Sequence, residues 1–308
     1  IELLNTLDAF LKNSKADAGN KTIAELTASL RGLLGNEKWS WYVSEKGKKK
    51  LGYEQAVVYD RVLRFEERDK LMKILYYVYL LDVYMAVANV AKERGFVFAK
   101  AHPNDKNRLV MKGMFHPFLT KPVGNTITVD ENSNVIFLTG ANMAGKSTFM
   151  KSFGITVFLA HVGFPVPAKE MEFSVQNGMF TTINLPDNLN MGYSHFYAEV
   201  LRVKFVASEV AAGKNMVIIL DELFKGTNVK DAYDATVAVI EAFSIHQNCS
   251  FIISTHILEA GQTLHEKCPH FKFAYLPTVM EGRIPRYTYR LTDGITADRH
   301  GMQIITNE

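Results

Sequence analysis

Cysteine is nearly absent from this chain: Cys249 and Cys268 are all that 308 residues hold. With no metal-ligand spacing between them, they argue against a disulfide framework and fit a reducing compartment as small apolar residues. Net charge is also scarce. A formal +3 does not announce a nucleic-acid surface, so any DNA contact has to come from a local patch. No internal repeat and no low-complexity segment is visible, and 47% hydrophobic residues suffice for a substantial core. The chain opens on Ile1 with no basic segment ahead of a short apolar core, and it reads as an excised fragment, not a secreted protein. Leu71 to Ala91 is about long enough to span a bilayer, but it contains Lys73 and Asp82 and follows Arg64, Glu66, Glu67 and Arg68 closely. A buried helix of a soluble protein is expected there, and no membrane partner.

What is present divides near residue 105. Residues 1–105 carry helix spacing: Leu3, Leu4, Leu7, Phe10 and Leu11, then Ile23, Leu26, Leu30 and Leu33. Gly19, Gly32, Gly35, Gly47 and Gly52 are expected to break this region into short pieces, before a long helix from about Val57 to Arg94 that stops at Gly95. Trp39 and Trp41 are expected to anchor a small satellite core, and Lys46-Gly47-Lys48-Lys49-Lys50 to be a solvated loop. His102-Pro103-Asn104-Asp105 reads as a connector. From residue 106 to 308, apolar strands alternate with helices. Strands are expected at Thr126–Val129, Val135–Leu138, Met216–Leu220, Phe251–Ser254 and Tyr287–Leu291, and helices through His161, over Phe196–Ala212 and over Ala232–Ile245. That order predicts an α/β domain with a mainly parallel sheet covered by helices, preceded by a smaller, mainly α-helical domain.

The sharpest local signal is Gly140-Ala141-Asn142-Met143-Ala144-Gly145-Lys146-Ser147, between the strand Val135–Leu138 and a helix beginning Thr148-Phe149-Met150. A G-x-x-x-x-G-K-S run at a strand-to-helix turn lets backbone N–H groups close around phosphate oxygens, with the helix N-terminus adding partial positive charge. Lys146 then reaches the β- and γ-phosphates, and the Ser147 hydroxyl is placed for Mg²⁺. Met216–Leu220 ends in Asp221 and Glu222. At the C-terminal end of a parallel strand these acids lie near the phosphates, Asp221 as the partner of Mg²⁺ and Glu222 to polarise the attacking water. His256, after Phe251–Ser254 and Thr255, is placed to hydrogen-bond the γ-phosphate or position the water. Ser194, ahead of a helix, reads either as an ordinary N-cap or as an anion-binding helix start offered to a second subunit's nucleotide.

Together these residues resemble the ATPase domain of the MutS family of DNA mismatch-repair proteins, within the ABC class of P-loop NTPases. The family's GPNMGGKST stands here as Gly140 to Thr148, GANMAGKST; its G-x-S-x-F-x-x-E as Gly192 to Glu199; its D-E-x-x-x-G-T as Asp221 to Thr227; its T-H as Thr255-His256. His116-Pro117, Val166-Pro167-Ala168 and Asp293-Gly294 are smaller echoes, and Leu81 to Arg94 resembles the last helix of the family's lever region. The chain departs from the pattern at Ala141, Ala144, Phe224, Lys225 and Asn228. Lys121-Pro122-Val123-Gly124-Asn125 also lacks the aromatic that commonly stacks on adenine, so Val123 packing is expected to replace it. The resemblance implies an Mg-dependent ATPase that couples ATP-driven homodimerisation to mismatched or branched DNA, with a MutL-type protein as a possible partner. Two alternatives stay open: a MutS-like ATPase acting on branched or recombining DNA, and an ATP-dependent assembly module without DNA as substrate.

Overall fold

The computed structural model describes residues 1–13, 20–35, 37–48, 50–141, 143–183, 195–224, 226–255, 257–282 and 284–296. The chain forms two compact units, Ile1–Asn89 and Val90–Glu308.

The first unit is helical: α1 Glu2–Asn13, α2 Lys21–Leu34, α3 Trp41–Ser44, α4 Tyr53–Arg61 and the start of α5 Arg68–Arg94. The Asn20 side chain caps α2 by accepting from Ile23 N at 3.2 Å. Leu4, Leu7 and Leu11 meet Leu26, Leu30, Leu34, Trp39, Tyr42, Ile74 and Leu81 in one core. Trp41 stacks on Tyr59 with ring centroids 4.0 Å apart, so both tryptophans anchor the satellite core expected of them. Lys46, Lys48 and Lys50 are exposed, as a solvated loop requires. Gly32 does not break the chain: it lies inside α2, and the stop comes at Gly35.

The long helix differs from expectation in two ways. It is not continuous from Val57. A single π turn over Val62–Glu66 separates α4 from α5, and Glu67, at φ −123°, closes that turn by donating N–H to the Val62 carbonyl at 2.8 Å. Nor is it buried. Only Ile74 and Leu81 of α5 are buried, while Met72, Tyr76, Tyr79, Val83 and Val90 are exposed. Apolar residues run all round this helix, so packing one stripe leaves another uncovered. By length and composition α5 could also cross a membrane. It ends as expected at Gly95, whose φ of +68° suits a glycine C-terminal stop.

The second unit is mixed α/β. In chain order it holds β1 Lys100–His102, β2 Arg108–Met114, β3 Asn125–Asp130, β4 Val135–Thr139, α6 Lys146–Val162, β5 Glu170–Ser174 and β6 Gly178–Thr182. Then come α7 His195–Ala211, β7 Met216–Asp221, α8 Val229–Ser244, β8 Ser250–Ser254, α9 Leu258–Lys267, β9 Lys272–Tyr275, β10 Thr278–Glu281, β11 Ile284–Tyr287 and β12 Thr292–Asp293. A six-stranded sheet runs β12-β9-β4-β8-β7-β6, parallel throughout except where β12 joins β9. A second sheet, β1-β5-β2-β3, is antiparallel except between β1 and β5. Because β1 pairs with β5, residues 90–105 belong with this unit and not with the helices before it. The stretch Tyr287–Leu291 is not one strand: β11 stops at Tyr287, and Tyr289 takes φ +54°, which a strand does not allow.

Central strands are apolar on both faces because both are covered. Ile136, Leu138, Val217, Ile219 and Ile252 share a core with Met150, Phe153 and Val157 of α6. Their neighbours Val135, Phe137, Ile218, Leu220, Phe251 and Ile253 share the other core with Val206 of α7, Ile240 of α8 and Leu264 of α9. Parallel pairing of β4, β8 and β7 brings their C-terminal ends to one edge of the sheet.

Candidate functional site

At that edge β4 runs into Gly140, φ +144°, and the turn closes at Gly145, φ +103°, the residue before α6. Both angles call for glycine. Ala141 and Ala144, two of the departures from the family pattern, stay out of the positive-φ region, so their methyl groups are tolerated. Met143 does not: it sits at φ +69° with its side chain 76% exposed. Lys146 is buried, and its Nζ donates to the carbonyls of Gly140 at 2.7 Å and Ala141 at 3.2 Å. Its ammonium is therefore held over the turn.

Ser147, in the first turn of α6, donates its hydroxyl to Asp221 Oδ2 at 2.8 Å. Asp221 ends β7 and is buried; its other oxygen, Oδ1, accepts from Ser254 Oγ at 2.5 Å. Glu222 follows at φ +53°, half-buried, with its N–H donated to the Ser254 carbonyl at 3.0 Å. The structure thus brings together Lys146, Ser147, Asp221 and Glu222. Asn142, Ser194 and His256 lie outside the described residues.

Gly226 explains how two separate stretches of sequence meet here. A Cβ on Gly226 would lie 2.8 Å from the backbone N of Phe196, so only glycine lets the stretch after the acids pass the start of α7. Phe224 packs its ring on Phe196, with centroids 5.9 Å apart, at φ +60°. Among the described residues, the non-glycine positions with positive φ are Met143, Glu222, Phe224 and Tyr289, all at this site. Each such angle costs about 1–3 kcal/mol and persists only where surrounding contacts impose it.

Beside the turn is a cavity of about 330 Å³ whose walls include Gly145, Thr148, His116, Leu119, Val123 and Tyr289. Val123 is in the wall of this cavity, and the aromatic beside it is Tyr289, from the stretch expected to be a strand. Its loop is pinned by Asn125, which donates Nδ2–H to the Tyr289 carbonyl at 3.0 Å and accepts from Leu291 N at 2.7 Å. A Cβ on Gly145 would meet Tyr289 Cδ1 at 3.0 Å, so this glycine also makes room for the ring. In the sequence, His116 stands out only through the dipeptide His116-Pro117. Its Nδ1 accepts from Phe118 N at 3.3 Å, which leaves the proton on Nε2. Burial, and then the charge of Lys151, holds its pKa below the ordinary histidine value.

Chemically, the Ser147 hydroxyl and the Asp221 carboxylate are hard oxygen donors of the kind Mg²⁺ takes. Among the described residues no group of three His, Cys, Asp or Glu side chains could hold a metal. A cation at this pair would complete its shell from water and a ligand's own oxygens, which is how Mg²⁺ is usually held on phosphates. The aromatic, largely apolar cavity next to the turn suits a flat ring system.

The family model for MutS domain V matches residues 136–307. DNA mismatch repair protein MutS of Petrotoga mobilis (strain DSM 10674 / SJ95) is 29% identical over 255 residues, covering 80% of this chain and 30% of that protein. MutS protein homolog 4 of Mus musculus is 28% identical over 246 residues, covering 77% of this chain and 25% of that protein. The chain therefore spans less than a third of the length of these curated relatives. The domain match extends over more than half of the residues and includes the turn before α6, the two acids Asp221 and Glu222 where β7 ends, and the end of β8, so this chain belongs to the MutS family and carries its C-terminal ATPase domain.

Proposed function

We propose that this protein is an Mg-dependent ATPase of the ABC class, with a P-loop at Gly140–Thr148, that couples ATP-driven homodimerisation to DNA binding in mismatch repair. One observation carries the reading: Lys146, Ser147 and Asp221 converge on a glycine turn at the parallel strand ends, beside a cavity of about 330 Å³ lined by an aromatic. Backbone N–H groups of Gly140–Thr148 and the Lys146 ammonium bind the β- and γ-phosphates. Ser147 and Asp221 hold Mg²⁺, which when bound neutralises charge developing on the transferred phosphoryl group. Glu222 orients and polarises the attacking water, and His256 contacts the γ-phosphate. Tyr289, Val123 and His116 take the base. Ser194 of a second copy approaches the same γ-phosphate, so two ATPs lie between two subunits and hydrolysis depends on how they close. The helical unit Ile1–Asn89 acts as a lever toward DNA, with a MutL-type protein as downstream partner, in the cytoplasm.

The test is MgATP turnover by the full-length protein, alone and with homoduplex, mismatched and branched DNA at fixed salt. Stimulation by mismatched DNA is expected. Stimulation by branched DNA alone would move the substrate to recombining DNA. Turnover indifferent to every DNA would leave an ATPase and remove the repair reading, and no turnover at all would remove the enzyme.

A further inference from the structure

Ser254 lies outside the groups assigned to ATP, yet it touches both acids. It is fully buried at the end of β8, and the strand register sets it directly opposite Asp221. Its side chain donates to Asp221 Oδ1 at 2.5 Å, and its carbonyl accepts the N–H of Glu222 at 3.0 Å. An aspartate carboxylate turns about a broad, two-fold torsion, so burial alone does not decide which oxygen points where. With Oδ1 tied to β8, Oδ2 is the oxygen left to face Ser147, 2.8 Å away at the start of α6. The backbone tie acts on the next residue, where the Ser254 carbonyl anchors Glu222 at φ +53°.

We propose that Ser254 is a positioning residue for the metal site: its hydroxyl fixes the Asp221 carboxylate so that Oδ2 is offered, together with Ser147, to Mg²⁺. The proposal rests on the reading of Asp221 as the Mg²⁺ partner. Groups of this kind, one bond removed from a metal, typically change metal affinity by about 10–100-fold when lost.

The experiment is a Mg²⁺ titration of the binding of a fluorescent ATP analogue to the full-length protein, with parallel binding in EDTA. It compares wild type, Ser254→Ala, Asp221→Asn and the double variant. Ser254→Ala is expected to move the Mg²⁺ midpoint about tenfold to higher concentration while leaving metal-free nucleotide binding unchanged. Because Ser254 acts through Asp221, adding Ser254→Ala to Asp221→Asn is expected to produce no further shift. A wild-type midpoint in Ser254→Ala, alongside a shifted Asp221→Asn, would overturn the proposal and reduce Ser254 to packing. An unshifted Asp221→Asn would instead sink the metal reading on which it rests. Should the alanine variant fail to fold, Ser254→Cys keeps a weak donor, and an intermediate shift is expected; an unchanged midpoint there would also count against the proposal.

Discussion

Phe224 holds a backbone angle that belongs to glycine, and this can be tested by a reversal of sign. At φ +60° its Cβ crowds the backbone, at a cost of about 1–2 kcal/mol. The ring offsets this by being 97% buried against Phe196 and the core around α7. Truncating a buried phenylalanine to alanine loses about 3–5 kcal/mol, and Phe224→Ala should lose that much because the strained angle remains. Phe224→Gly loses the same ring and relieves the angle. Where φ is negative, alanine is the more stable by about 0.4–1 kcal/mol; where it is positive the order inverts, so Phe224→Gly should exceed Phe224→Ala by about 1 kcal/mol. Tryptophan fluorescence is the wrong probe, since Trp39 and Trp41 both lie in the first unit. Hydrogen exchange of peptides from β7 and β8 across a urea series reports the second unit directly. An alanine variant as stable as the glycine variant, or more so, would refute the claim that packing holds this backbone in place.

Three further outcomes are expected. Glu222→Gln should keep MgATP binding while slowing turnover by roughly 10²-fold or more, and near-normal turnover would remove Glu222 as the general base. Tyr289→Ala should weaken binding of the ATP analogue by about 0.5–1.5 kcal/mol if the ring stacks on the base, with Tyr289→Phe close to wild type; equal affinities for all three would place the base elsewhere. Burial lowers the His116 pKa, so between the folded and unfolded values the unfolded chain binds more protons and stability rises with pH. Urea midpoints of the wild type should therefore fall as pH drops from about 7 to 5, and His116→Asn should fall less; parallel curves would show that His116 contributes nothing there.

The turn before α6 was legible because its information is local: glycines at fixed offsets between an apolar run and a helix start. Asp221 and Glu222 were legible for the same reason, as an abrupt change from five apolar residues to two acids. Tyr289 was hidden because Tyr287-Thr288-Tyr289-Arg290-Leu291 alternates like a strand, while the bonds that shape its loop come from the side chain of Asn125, 164 residues earlier. Nothing in Val62–Glu67 marks the turn between α4 and α5, which holds neither glycine nor proline. The antiparallel sheet was obscured by an irregularity in β2 between Met111 and Met114, which spoils its alternation.

What local signals name, strand register assembles. Asp221 works with Ser254 only because β7 and β8 pair so that these residues are opposite. A slip of one residue would set Ile253 or Thr255 against Asp221 and turn the hydroxyl to the other face of the sheet. The same slip would carry Phe251 and Ile253 out of the core beside α7 and α8, and Ile252 out of the core beside α6. Both faces of the sheet are covered, so these side chains would enter the opposite core and not water, and the cost is misfitted packing, about 1–3 kcal/mol for each one overpacked there. The packing of residues with no chemistry of their own thus fixes the geometry of the residues that have it. For that reason the hydrogen bonds around Asp221 follow from the two cores on either side of the sheet as much as from the acid itself.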